Sequence, residues 1–104
     1  MPFLLFYVTH PDEDSARHLA DHLLEQKLVA CANIFPMESA YRWNDAVQHE
    51  REWVSILKTR TSLEAQVEKT IQSFHSYETP CILRYEVRAN AAYENWISES
   101  TTAP

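Results

Sequence analysis

Hydrophobic and polar positions change period several times along the chain, and each change marks an element. Phe3 to Thr9 is apolar at nearly every position, the pattern of a buried strand. His10-Pro11-Asp12 ends it. Asp12 is placed to cap a helix, with Glu13 and Asp14 in the first turn. Ala16, Leu19, Ala20, Leu23 and Leu24 then recur at helical spacing and predict a helix over Asp12 to Gln26. Asp14, His18, Asp21, His22 and Glu25 fall on its solvated face.

From Val29 to Trp43 the chain is rich in strand formers and too long for one ordinary strand. Pro36 cannot donate to a ladder, so the run must bend there or lie at a sheet edge. Asn44 and Asp45 both tolerate a left-handed backbone. A second run, His49 to Thr59, carries Trp53, Val54, Ile56 and Leu57. The two runs predict a long, bent hairpin that turns at Asn44-Asp45. Thr61-Ser62-Leu63-Glu64 then reads as a capping box. It opens a helix with Leu63, Val67, Ile71 and Phe74 on one face, ending near Phe74 or His75.

His75 to Pro80 reads as an irregular connection, and Cys81 to Val87 as the last strand. Asn90 is expected to cap a short helix carrying Tyr93, Trp96 and Ile97, with a polar tail from Ser98. The order strand, helix, strand, strand, helix, strand, short helix predicts an α+β, ferredoxin-like split βαβ arrangement. Right-handed crossovers then place both long helices on one face of an antiparallel sheet. The strands carry apolar residues on both sides, so the other face needs a cover. Hairpin arms that outreach a small domain need something to pair with, and another copy of the chain is the natural partner.

Composition narrows the function classes. A chain of 104 residues fits one domain, residues 1–104, with a single core. The net charge of -6 argues against a nucleic-acid backbone or an anionic membrane as main partner. Gly is absent, which excludes Gly-rich phosphate loops. Cys31 and Cys81 stand in no CxxC frame and read as reduced, part-buried thiols of a cytoplasmic protein. Phe3 to Val8 is too short for a signal core or a membrane span.

Several stretches, in this order, resemble the CutA family of divalent-cation tolerance proteins. They are Val8-Thr9 with Pro11, Leu28 to Ile34, Ser39-Ala40-Tyr41-Arg42-Trp43, Glu52, Leu57-Lys58-Thr59, His75 to Pro80, and Tyr93 to Ile97. The resemblance implies a ferredoxin-like fold, a cytoplasmic homotrimer, a link to divalent cations and copper in particular, kinship with PII-type proteins, and no enzymatic activity. The chain departs from the family pattern at Asp45 and Ala89, where Gly is usual, and at Ser76, where Pro is usual. Of the family's proposed copper ligands, a thiol and two adjacent histidines, the corresponding places hold Val8, Phe74 and His75. His75 is the one that carries over as a metal ligand.

His75, Tyr77 and Glu78 share a loop, and imidazole suits copper and zinc. The bland alternative is a His that closes a helix and a Tyr that packs at a subunit seam. Lys58 is a candidate for a buried cation pairing with Glu52 or Glu78 across an assembly, which makes Lys58, Tyr77 and Glu78 the ligand-cleft candidates. His18 and His22 have chelating spacing but no third ligand, so they read as surface residues. Tyr41, Trp43, Trp53 and Trp96 are more aromatic surface than one small core needs, and read as hairpin and trimer contacts. No nucleophile, oxyanion hole or metal triad is visible. Two readings follow: a non-enzymatic trimeric protein of cation response, or a PII-like sensor of a small anionic metabolite held between subunits.

Overall fold

The computed structural model describes residues 1–102. Its elements are β1 (Phe3–His10), α1 (Glu13–Glu25), β2 (Cys31–Trp43), β3 (Ala46–Thr59), a 3-10 turn (Thr61–Leu63), α2 (Glu64–Phe74), β4 (Ile82–Val87) and α3 (Ala91–Glu99). The strands form one antiparallel sheet in the order β2-β3-β1-β4. This is the expected ferredoxin-like order.

Strand alternation divides the sheet into two faces. Leu4, Phe6 and Val8 of β1 share one with Ser55, Leu57 and Thr59 of β3. There they meet Leu19 and Leu23 of α1 and Leu63, Val67 and Ile71, all buried in one cluster. At the rim, Arg84 of β4 pairs with Glu64 and Glu68 of α2 and lies over the Phe6 ring. The opposite face carries Phe3, Leu5, Tyr7 and Thr9 of β1 with Lys58, Ile56, Val54 and Glu52 of β3. Among the described residues, α3 is the helix that packs there, through Tyr93 edge-on to Phe3 at 6.0 Å. Phe35, Leu83 and Tyr85 stay exposed, Tyr85 at 54%.

Local signals explain the boundaries. Asp12 caps α1, its carboxylate accepting from the Ser15 N–H at 2.7 Å. Lys27, just past the helix, is left-handed at φ 58°. The Leu28 and Lys27 N–H groups return to the Leu23 and Leu24 carbonyls at 2.9 and 3.0 Å, a Schellman closure. Asn44 and Asp45 are left-handed at φ 52° and 62°, and Trp43 pairs directly with Ala46. The turn is therefore a two-residue hairpin loop.

Three expectations need correction. The return arm starts at Ala46 rather than His49, because a two-residue turn lets pairing resume at once. The capping box does not form: Thr61 lies inside a 3-10 turn, and Glu64 faces Arg84 instead. The polar tail from Ser98 is part of the structure through Thr102, while residues 103–104 lie outside the described residues. Thr101 is buried, Arg60 binds its side chain and carbonyl, and the Thr102 N–H donates to the Lys27 carbonyl at 2.8 Å.

The molecule measures 45 × 24 × 20 Å. The long axis matches the hairpin, since the 14 residues of β3 span roughly 46 Å when extended. Of β3, β1 pairs with Trp53 to Thr59, so the outer half of the hairpin runs past the rest of the sheet.

Candidate functional site

The outer half of the hairpin and the loop before β4 border an open cleft of about 840 Å³. Register decides which side chains face it. Met37 opposes Glu52, Ser39 opposes Glu50, Tyr41 opposes Gln48 and Trp43 opposes Ala46, all on the face away from the two long helices. Tyr7 and Thr9 of β1 and Cys81 continue that lining, and Tyr77, Glu78 and Thr79 close it from the loop. Glu38 also borders the cavity, but alternation puts it on the other face. Among the described residues no Lys or Arg lines it.

The loop is tied down by a chain of hydrogen bonds. His75 Nε2 donates to the Thr9 carbonyl at 2.5 Å. Its Nδ1 accepts the Tyr77 N–H at 3.1 Å. The carbonyl can only accept, so the ring carries its proton on Nε2. The Tyr77 hydroxyl then donates to Glu52 Oε2 at 2.6 Å. Burial, and next this bond to a carboxylate, push the Tyr77 hydroxyl well above the usual tyrosine range. Burial first and the Glu50 carboxylate second raise Tyr41 as well. Burial, with Glu52 nearby, raises the Cys81 thiol, the opposite of what a reactive cysteine needs.

Behind the loop, His10 stacks on His75 with centroids 5.4 Å apart and bonds the Ser55 hydroxyl at 2.7 Å. Burial first, and His75 second, lower the His10 pKa to about 4. It is neutral at pH 7.

The structure separates residues that the sequence grouped. Tyr77, Glu78, Tyr41 and Trp43 line the cavity, but Lys58 does not. Lys58 lies six residues from Glu52 along β3, about 20 Å away, where it donates to the Tyr93 hydroxyl and sits over its ring. Pairing of Lys58 with Glu52 inside one chain is thus excluded. Trp53 falls on the helix-covered face, opposite Pro36 and His10. Trp96 packs on Tyr93 at 5.6 Å, far from the hairpin tip. His18 and His22 lie against the Phe74 ring. Cys31 and Cys81 are free and stand at opposite edges of the sheet, at least ~14 Å apart, beyond disulfide reach.

Sequence reasoning missed Tyr7, Met37, Gln48 and Glu50 as lining residues. Their signal was the period of two once the turn is fixed at Asn44-Asp45. Among the described residues no three His, Cys, Asp or Glu side chains are grouped to hold a metal ion. His75 has both ring nitrogens engaged, so one chain alone does not fit a divalent cation. A negative, aromatic cavity also offers nothing to a small anion.

Comparison with known proteins places the chain. Residues 4–100 match the family model described as CutA1 divalent ion tolerance protein. The divalent-cation tolerance protein CutA of Archaeoglobus fulgidus is 38% identical over 95 residues, covering 90% of this chain and 93% of that protein. It has been solved as a periplasmic divalent cation tolerance protein, superposing with a TM-score of 0.90 at 37% identity over 96% of this chain and 98% of that one. CutA1 from Oryza sativa superposes with a TM-score of 0.95 at 33% identity, over 100% of this chain and 97% of that one. Among the described residues no helix is long and apolar enough to cross a membrane. The fold and these matches agree, and the chain belongs to the CutA1 divalent ion tolerance family.

Proposed function

We propose that this chain acts in the cellular response to divalent cations, copper foremost, as a cytoplasmic homotrimer without a reaction of its own. The observation that carries the reading is the family match across residues 4–100. The trimer is supported by the open sheet face, where Phe35, Leu83 and Tyr85 need a cover, and by the overhanging hairpin with Tyr41 and Trp43 at its end. Two free thiols out of reach of each other suit a reducing compartment.

His75 is the proposed contact to the metal. Ligation through Nδ1 requires release of the Tyr77 N–H, so binding is modest and borrows donors from a neighbouring copy. Isothermal titration with Cu(II) at neutral pH tests this. His75→Ala should weaken binding, while the His18→Ala, His22→Ala double change should matter less. Abolition by the double change with His75→Ala silent would overturn the assignment. Light scattering that reports only monomer at micromolar concentration would remove the trimer.

A further inference from the structure

We propose that Glu52 and Lys58 pair between neighbouring copies of this chain, Lys58 of one copy supplying the counter-charge that Glu52 of the next copy lacks. The proposal rests on the trimer reading above and names a polar contact inside its interface.

One chain alone leaves both charges unmatched. Glu52 is 7% exposed, and its hydrogen bond among the described residues comes from the Tyr77 hydroxyl, a neutral donor. Lys58 is half-buried and donates to the Tyr93 hydroxyl at 3.2 Å, with its charge 5.4 Å from the centre of that ring. Neither joins an ion pair among the described residues. The two stand on the same face of β3, six residues or about 20 Å apart, so they cannot meet within the chain.

Register decides the partner. Of the Lys and Arg side chains on the four strands, Lys58 alone shares the open face with Glu52, since Arg42, Arg51 and Arg84 fall on the other. The outer hairpin overhangs its own sheet, so its open face, from Glu52 to the tip, takes its covering layer from elsewhere. The inner part of the same face carries Lys58 beside the half-exposed Leu83 and Tyr85. In a ring of identical copies the two patches in contact are different surfaces of the chain. Outer hairpin on inner sheet is such a contact: Tyr41 and Trp43 cover apolar surface, and Glu52 comes to Lys58. A closed ring repeats the contact, so every Glu52 finds one Lys58. Once water is excluded, a buried carboxylate without a positive partner is costly, and an apolar seat that left Glu52 unmatched would not close. Glu50 and Glu78 are exposed, remain hydrated, and gain less from the same cation.

The test follows the mass of the full chain by light scattering across a dilution series, with circular dichroism to confirm that each variant folds. Lys58→Met leaves Glu52 unmatched in the interface and should raise the concentration at which the trimer forms by about a hundredfold. Glu52→Gln takes a buried charge out of its own chain, so the fold is kept, but it strands Lys58 and should weaken assembly by a smaller factor. Glu52→Gln combined with Lys58→Met strands neither charge and should assemble better than Lys58→Met alone. That recovery is the deciding result, because the Lys58 contact to Tyr93 is lost in both proteins. Lys58→Gln, alone and with Glu52→Gln, gives the same comparison if Lys58→Met does not fold. A native trimer whose double variant assembles no better than the Lys58 variant overturns the pair and leaves the trimer reading standing. A native chain that is monomeric at micromolar concentration overturns the trimer reading, and the pair with it.

Discussion

The two faces of the sheet come from the same strands, yet they are finished differently. On the helix-covered face every large side chain of β1 and β3 meets another, from Leu4 and Thr59 to Val8 and Ser55. Charge at its rim is paired, as at Arg84 with Glu64 and Glu68. On the open face Leu83 and Tyr85 are about half exposed, and Glu52 is buried with no ion pair among the described residues. A chain that needed only to fold would have little use for the second pattern. Unfinished packing and unpaired charge on one face indicate that it is completed by something else, a second copy or a ligand.

The largest expected effect breaks this comparison if it fails. Phe6→Ala or Leu57→Ala removes a fully buried side chain and should cost about 3–5 kcal/mol by denaturant unfolding, without changing the mass of the folded fraction. Leu83→Ser with Tyr85→Ser should do the reverse. The fold survives and the mass by light scattering shifts toward monomer. Similar unfolding losses and unchanged mass in both variants would mean that the faces do not divide these roles.

A smaller effect is expected where the open face meets the loop. Tyr77→Phe deletes the hydroxyl that bonds Glu52 and should cost about 1–3 kcal/mol. Glu52→Gln should be neutral or stabilising, because an amide oxygen still accepts the same bond and no charge is buried. A double-mutant cycle measures the coupling. Additive losses would show that the two groups do not depend on each other.

The pH dependence sharpens the same boundary. His10 is buried between the core and the loop, and its folded pKa is lowered to about 4, first by burial and second by His75. Asp12 and Glu52 act in the opposite sense and are outweighed. Unfolding restores an ordinary pKa near 6.5, so the unfolded chain binds the proton more readily. The stabilisation is complete above about pH 6.5 and is lost as pH falls toward 4. Unfolding midpoints across that range should drop in the native chain and drop less in His10→Gln. Equal slopes would assign the loss to other groups.

The fold was legible because the pattern that specifies it is local. Ala16 to Leu24 could form only an amphipathic helix, and the order of elements left one sheet topology. The site was legible only in part. Tyr77 and Glu78 stood out as loop residues, but Glu50, Gln48 and Met37 become visible only through cross-strand register. Counting outward from the two-residue turn at Asn44-Asp45 pairs Met37 with Glu52, Ser39 with Glu50 and Tyr41 with Gln48. Lys58 stands outside the cavity of its own chain, since six residues of strand separate it from Glu52, and its expected pairing across an assembly involves a neighbouring copy.

The smallest effects lie at the two turns, one in each region. Lys27 closes α1 on the core side with φ 58°, a backbone that costs an L-residue about 1–2 kcal/mol and glycine nothing. Its ammonium has no hydrogen bond or ion pair among those found in the described residues, so only the backbone argues for or against it. Lys27→Gly should stabilise by about 0.5–1 kcal/mol, the strain relieved less the added freedom of the unfolded chain. Asn44 and Asp45 adopt the same region at the hairpin tip. Asp tolerates it better than Lys, so Asp45→Gly should gain only ~0–0.5 kcal/mol. If the tip is also an assembly contact, its effect should appear in the light-scattering mass rather than in the unfolding midpoint of the separated chain. A clear loss of stability in Asp45→Gly would show that the Asp45 carboxylate makes a contact beyond the chain, which would extend the unfinished face to the end of the hairpin.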